Sequence, residues 1–294
     1  MRTCMIGVMV GSGQFLWELS YTKRNDIMTK NRPNLGGFYG GTANPLRQVF
    51  MIGVIWRLAH DFGREPLNLV EVGSWAGASA LTWGQGLQVH NNSRGSLICV
   101  DAWKPYLSRA NMADALSQEI DQALETDKPY QIFEENMQFM PPSVDVTVCR
   151  GWSADVLPTL REDSFHLIYL DGDHTYGAVA KDIKLACPLI RDGGIICGDD
   201  LELQFHELGG SIDRFSADVD KCIDQKTGLS SHPGVARAVS ERFGEVSSWY
   251  GFWAMRRNGN FWVPVSLEGM PGQIPTYLDT QNLMGLKALL MQLQ

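Results

Sequence analysis

A chain of 294 residues with 44% hydrophobic content can build one large folded domain with extensions, or two small ones, and is too apolar to be a disordered chain. Its net charge of −8, with no basic run anywhere along it, gives a nucleic-acid partner no electrostatic support. No apolar stretch approaches the ~20 residues of a membrane-spanning helix, and the short apolar start, Met1 to Val10, is broken by Gly7 and lacks a clear cleavage site for a signal peptide.

In chain order, residues 1–44 carry no strong periodicity. Their stretch from Asn31 to Gly41 is loop chemistry with aromatics, read as a flexible arm or a lid. From Pro45 to Phe62 apolar residues recur at helical spacing (Phe50, Val54, Ile55, Leu58, Ala59), and Asp61, Gly63 and Pro66 end that helix. Strand and helix signals then alternate. The spacing predicts strands at 67–72, 96–101, 145–149, 165–170 and 193–198, with helices at 77–89, 108–126, 154–161 and 176–190. Such alternation reads as βαβ units and a parallel sheet.

The last third differs. Helices are predicted at 211–226 and 233–243, then aromatic-rich strands from Ser248 to Met255 and from Asn260 to Val265. Asn258-Gly259 between them is a hairpin-turn signal. The expected architecture is an α/β, Rossmann-like, mostly parallel sheet of seven strands. Helices cover both faces, and an antiparallel hairpin closes the C-terminal side. No linker interrupts residues 45–294, so one domain with an N-terminal extension, 1–44, is expected.

Four of the apolar runs share one property: each ends on acids. Glu71-Val72-Gly73-Ser74-Trp75-Ala76-Gly77 turns from a strand into a helix through two glycines. Twenty-eight residues beyond Gly73, Leu97 to Val100 stops at Asp101. Leu167 to Leu170 stops at Asp171-Gly172-Asp173-His174, and Ile195 to Gly198 at Asp199-Asp200. This is the layout of a nucleotide-type cofactor site at the carboxyl edge of a parallel sheet. Gly73, Ser74 and Gly77 are then a cradle that lets the backbone approach the ligand, and Asp101 an acceptor for two ribose hydroxyls. The competing readings are a tight turn for the glycines and a helix cap for Asp101. Ser153, after the third strand, is equally an adenine contact or a helix cap.

These motifs, together with Val100-Asp101-Ala102-Trp103 and Pro233 to Val239, resemble the class I S-adenosylmethionine-dependent methyltransferases over residues 45–266. Within that class the chain looks most like the metal-dependent O-methyltransferases of sugars and natural products. The resemblance implies S-adenosylmethionine as cofactor, Glu71 near its methionine or ribose end, and Ala102 and Trp103 beside the adenine. It implies a metal triad of Asp171, Asp199 and Asp200, and three such oxygen ligands suit Mg²⁺. His174 is then a candidate base for the acceptor hydroxyl, with Asp171 its competitor. The partner expected is a small hydroxylated acceptor, with no nucleic acid and no membrane, and a homo-oligomer is left open.

Two other classes compete. A nicotinamide-dependent oxidoreductase needs a G-x-G-x-x-G triplet, which Gly73 to Gly77 does not supply. A non-catalytic cofactor- or partner-binding module would leave the acids at 171, 199 and 200 without chemical work. The six cysteines form no C-x-x-C pair, and Cys99, Cys149 and Cys197 lie in apolar runs. They read as buried free thiols in a cytoplasmic protein.

Overall fold

The computed structural model describes residues 7–10, 14–17, 19–20, 32–40, 46–106, 115–209 and 219–277. The chain begins with β1 (Gly7–Val10) and β2 (Gln14–Trp17), an antiparallel pair, and β3 (Leu19–Ser20). Helix α1 (Leu46–Asp61) comes next and ends, as its Gly63 and Pro66 signals require, before β4 (Leu67–Val72). Then follow α2 (Ala78–Asn91), β5 (Gly95–Asp101), α3 (Ala115–Leu124), α4 (Lys128–Asn136), β6 (Val144–Arg150), α5 (Ser153–Val156), β7 (Phe165–Leu170), α6 (Tyr176–Ala186) and β8 (Ile190–Leu201). The C-terminal part holds β9 (Cys222–Ile223), β10 (Ser230–Ser231), α7 (Pro233–Phe243), β11 (Ser247–Trp249), β12 (Gly251–Asn258) and β13 (Phe261–Pro264).

The main sheet has nine strands, in the order β11-β12-β8-β7-β4-β5-β6-β3 with β13 on β12. Five of them, β8-β7-β4-β5-β6, are parallel, and the chain reverses direction of travel at β4. The expected seven-stranded core is there, as these five and the antiparallel β12–β13 hairpin that turns at Asn258 and Gly259. The short strands β3 and β11 add to its two edges.

Strand residues alternate between two cores. Leu67, Leu69, Leu167, Tyr169, Ile195 and Cys197 face α1 and α2, while Val70, Val72, Ile168, Leu170 and Ile196 face α6 and α7. A sheet buried on both faces explains why its strands read as unbroken apolar runs. No described helix is long and apolar enough to cross a membrane.

Several expected elements differ for local reasons. The helix predicted at 154–161 ends early, because Pro158 follows in a short 3₁₀ turn. Pro188 shortens the 176–190 helix in the same way. Helix α4 carries too weak a pattern to have been read. Of the helix predicted at 211–226, residues 211–218 lie outside the described residues. The rest is β9 and a turn, in which the Asp224 carboxylate accepts from the backbone N–H groups of Gly209, Lys226 and Thr227. The strand predicted at 248–255 is broken by Tyr250, whose φ is 58°, into β11 and β12. The aromatics there are largely core, with Phe252 and Trp253 buried, although Phe261 is 76% exposed.

Trp83 of α2 is fully buried, edge-on to Tyr169 at 5.3 Å. Trp83→Ala should therefore cost about 3–5 kcal/mol, read as a lower urea midpoint with an unchanged slope. A loss below about 1 kcal/mol would show that the α2 face is not part of the common core.

Candidate active site

The carboxyl ends of β4, β5, β7 and β8 bring the expected residues to one edge. β4 leaves the sheet at Gly73, whose N–H donates to the Val100 carbonyl at 2.9 Å, and the Asp171 N–H donates to the Val72 carbonyl at 2.9 Å. Gly73 and Gly77 both have left-handed φ, 89° and 90°. Their need for glycine is in part a packing need. A Cβ on Gly73 would collide with the Asp171 carbonyl, and one on Gly77 would stand 2.6 Å from Met137 Cε.

Asp101 fastens the cradle. Its Oδ2 accepts from the Trp75 N–H at 2.9 Å and its Oδ1 from the Trp103 N–H at 2.6 Å. Burial raises its pKa against these backbone donors. Each oxygen keeps a further lone pair for a ligand hydroxyl. Trp103, expected beside adenine, is instead fully buried. Its Nε1 donates to the Trp75 carbonyl at 2.7 Å and its ring packs on Tyr130 and Phe133, so it holds the cradle from beneath. Ala102 is half-buried at the turn between Asp101 and Trp103. The Ser153 hydroxyl, the other expected adenine contact, donates to Asp182 Oδ1 of α6 at 2.6 Å.

The floor of the cradle carries orphaned polar atoms. Glu71 is fully buried, and neither of its carboxylate oxygens, nor the Ser74 hydroxyl, has a hydrogen-bond partner. Burial lifts the Glu71 pKa to about 7. Ser74, Ser79 and Cys99 lie near enough to oppose the rise, without reaching hydrogen-bond geometry. Buried groups left in this state fit a ligand bearing amine or hydroxyl donors. A described part of the N-terminal segment lies over the same region. The fully buried Asn136 donates to the carbonyls of Ala76 (2.7 Å) and Asn34 (3.1 Å), and Tyr39 stacks on Trp75 at 6.1 Å.

The acids beyond the cradle form a network that sequence reasoning did not foresee. Arg47 of α1, only 6% exposed, reaches Asp199 (2.9 Å), Asp200 (3.2 Å) and Glu202 (2.8 Å), and donates through Nε to the Tyr250 carbonyl at 2.6 Å. A Cβ on Gly251 would strike the guanidinium, so this glycine opens the slot that Arg47 fills. Asp199, expected as a metal ligand, is thus turned to a cation of the chain itself. Burial and the neighbouring Asp200 hold the Asp199 carboxyl well above the usual carboxylate range, against the pull of Arg47.

His174 lies between carboxylates. Its Nε2 is 3.0 Å from Asp200 Oδ2 and 3.7 Å from Asp171 Oδ1, and its Nδ1 is 2.9 Å from Asp220 Oδ1. Burial alone would depress its pKa, but these carboxylates outweigh burial and place it well above the ordinary range. Such surroundings favour the charged form of the ring over the neutral one that a base needs. Asp171, whose Oδ2 accepts from the Tyr169 hydroxyl at 2.8 Å, remains the acid beside it. The three expected metal ligands do not converge. Among the described residues, the possible ligand atoms that all lie within 4.8 Å of one another belong to His174, Asp200 and His232. Arg47, Glu202, Asp220 and His232 were missed because no local motif marks them. His206 is exposed on the turn after β8.

Residues 70–201 match the model of a family described as a methyltransferase domain. Over 150 residues the chain is 25% identical to demethyldecarbamoylnovobiocin O-methyltransferase of Streptomyces niveus. That match takes in 46% of this chain and 53% of the other, so it spans about half the length of the curated relative. Among solved structures, the chain is similar to the O-methyltransferase NovP, at 18% identity over 72% of this chain and 80% of that one, with a TM-score of 0.49. It is also similar to an O-methyltransferase from Bacillus cereus in complex with SAH, at 17% identity over 68% of each chain, with a TM-score of 0.41.

The state of Glu71 sets a pH dependence. Its folded pKa of about 7 lies above the ordinary 4.5, so its contribution to stability is full below pH 4.5 and is lost as pH rises through 7. Glu71→Gln removes that loss. In urea melts of the protein without ligand, the variant should gain on the parent by about 3 kcal/mol between pH 4.5 and 8. A difference that does not change with pH would mean that Glu71 titrates in the folded protein at its ordinary pKa.

Proposed function

We propose, from the match of residues 70–201 to a family described as a methyltransferase domain, that the protein is an S-adenosylmethionine-dependent O-methyltransferase of a small hydroxylated molecule, a sugar or natural product. One observation carries the reading: the matched span brackets the cradle at Gly73, the acid at Asp101, Asp171 and the Asp199-Asp200 pair, all at one sheet edge. The name of the Streptomyces relative supports the choice of oxygen as acceptor.

Bound S-adenosylmethionine supplies an electrophilic methyl group on a sulfonium. Asp101 would accept the ribose hydroxyls with its remaining lone pairs, and Glu71 and Ser74 would receive the polar groups of the methionine end. Asp171, or His174 beside it at 3.7 Å, would take the acceptor proton, and the carboxylates around His174 favour Asp171 for it. The aromatic cover of Tyr39 on Trp75 would exclude water from that transfer. It also supports reading residues 1–44 as an extension that covers the site and residues 45–294 as the catalytic domain.

A divalent cation fits the charge of the acid cluster. Asp171, Asp199, Asp200, Glu202 and Asp220 face one guanidinium and two imidazoles, so negative charge stays in excess even with both rings protonated. With Asp199 on Arg47, Asp171 and Asp200 are the oxygen donors for such an ion, Mg²⁺ in the sequence reading. The cation would polarise the acceptor hydroxyl. Cys99, Cys187, Cys197 and Cys222 are in no disulfide, which suits a reducing compartment such as the cytoplasm.

Calorimetry tests the reading. S-adenosylhomocysteine should bind in the micromolar range, and Asp101→Ala should weaken it by about 1–3 kcal/mol. An unchanged affinity in the variant would remove Asp101 from the ribose, and a preference for a nicotinamide dinucleotide would overturn the cofactor.

A further inference from the structure

The side chains of His174, Asp200 and His232 form a mixed nitrogen and oxygen cluster that the family-like acid triad does not account for. We propose that this cluster holds a borderline transition-metal ion, of the cobalt-to-zinc series, in preference to Mg²⁺. The proposal rests on the methyltransferase reading only in placing that ion beside the methyl acceptor.

The geometry is that of ligands around one centre. His174 Nε2 and Asp200 Oδ2 are 3.0 Å apart, the separation of about 3 Å expected for two neighbouring ligands each ~2.1 Å from an ion. His232 Nδ1 stands 3.7 Å from Asp200 Oδ1, and the two imidazoles are edge-on at 5.0 Å. Asp171 Oδ1, 3.7 Å from His174 Nε2, borders the same point.

The surroundings orient one of the rings as metal sites do. Asp220, 9% exposed, takes His174 Nδ1 at 2.9 Å, so that Nε2 is the atom presented to the cluster. His232 differs, because Glu202 Oε2 lies 3.1 Å from the same Nδ1 that faces Asp200, so an ion held by that nitrogen would also meet Glu202; the orienting carboxylate is thus seen at His174. Carboxylates behind ligating imidazoles fix the ring and its tautomer.

The donor set also decides which ion. Mg²⁺ wants oxygen ligands throughout, whereas imidazole suits zinc, nickel and their neighbours. The acid that would complete an oxygen site, Asp199, is held by Arg47 at 2.9 Å, and Arg47 is itself fixed by Glu202, the Tyr250 carbonyl and the slot at Gly251. Freeing Asp199 would mean breaking this buried ion-pair network.

The test uses the full chain stripped with chelator. Calorimetry should find one Co²⁺ per chain, bound at least ~100-fold tighter than Mg²⁺. Pulsed electron paramagnetic resonance of the Mn²⁺-loaded protein should detect imidazole nitrogen coupling. His174→Gln and His232→Gln should each weaken Co²⁺ at least ~10-fold, while Asp199→Asn should leave it within about threefold. Circular dichroism verifies the fold of each variant, and if one fails to fold, the nitrogen coupling in the parent protein decides. Comparable Co²⁺ and Mg²⁺ affinities without nitrogen coupling, or loss of binding in Asp199→Asn, would replace this site with the oxygen triad. Absence of any bound ion would reduce it to an ion-pair network. S-adenosylhomocysteine titrated into the same samples separates the two claims. Its binding without Co²⁺ binding overturns the metal site alone, and Co²⁺ binding without it overturns the methyltransferase reading.

Discussion

Arg47 holds the carboxyl edge of the sheet together. Three acids within four residues at the end of β8, Asp199, Asp200 and Glu202, are brought into a largely buried region, where like charges repel far more than in water. One guanidinium from α1 reaches all three. Its charge-assisted bonds, with the Tyr250 carbonyl as a further acceptor, make the edge affordable, because a buried carboxylate without a partner costs several kcal/mol. The position of α1 on the sheet, the break at Tyr250 and the glycine at 251 all serve this contact.

The cofactor side is fastened differently. Asp101 ties two turns by their backbone N–H groups, Trp103 fills the space below, and Asn136 links the cradle to the segment that crosses it. These are short, directional bonds between loops, where a packed core would offer no register. The orphaned oxygens of Glu71 and the hydroxyl of Ser74 are the places where this fastening stops, and a ligand is the natural completion. Structure and chemistry therefore divide the edge. One half is stitched by hydrogen bonds from backbone and side-chain N–H groups, while the other is dominated by ion pairs.

The parallel strands were legible because burial on both faces leaves a plain apolar run, and the ends of four of the five because the run stops at an acid. The C-terminal hairpin was legible through Asn258 and Gly259. The cradle residues and the acids Asp101, Asp171, Asp199 and Asp200 all reach the edge that their order implied. Their individual partners were not legible. Arg47 lies about 150 residues before its acids in the chain, and nothing in its own helix distinguishes it from a surface arginine. His232 lies just before the quoted Pro233-Gly234 motif, and Asp220 in a stretch read as helix. Both gain meaning only when α7 and the loop before β9 close on β8. The carboxylates around His174 were hidden for the same reason, since a free ring and one clamped by Asp200 and Asp220 have the same local sequence.

The most direct measurement of the central claim is a crystal structure with S-adenosylhomocysteine. The account predicts the ribose hydroxyls on Asp101, the amino acid end over Glu71 and Ser74, and the sulfur directed toward Asp171 and Asp200. A ligand seated elsewhere, or one that reaches Asp101 while its sulfur points away from the acids that Arg47 gathers, would contradict it.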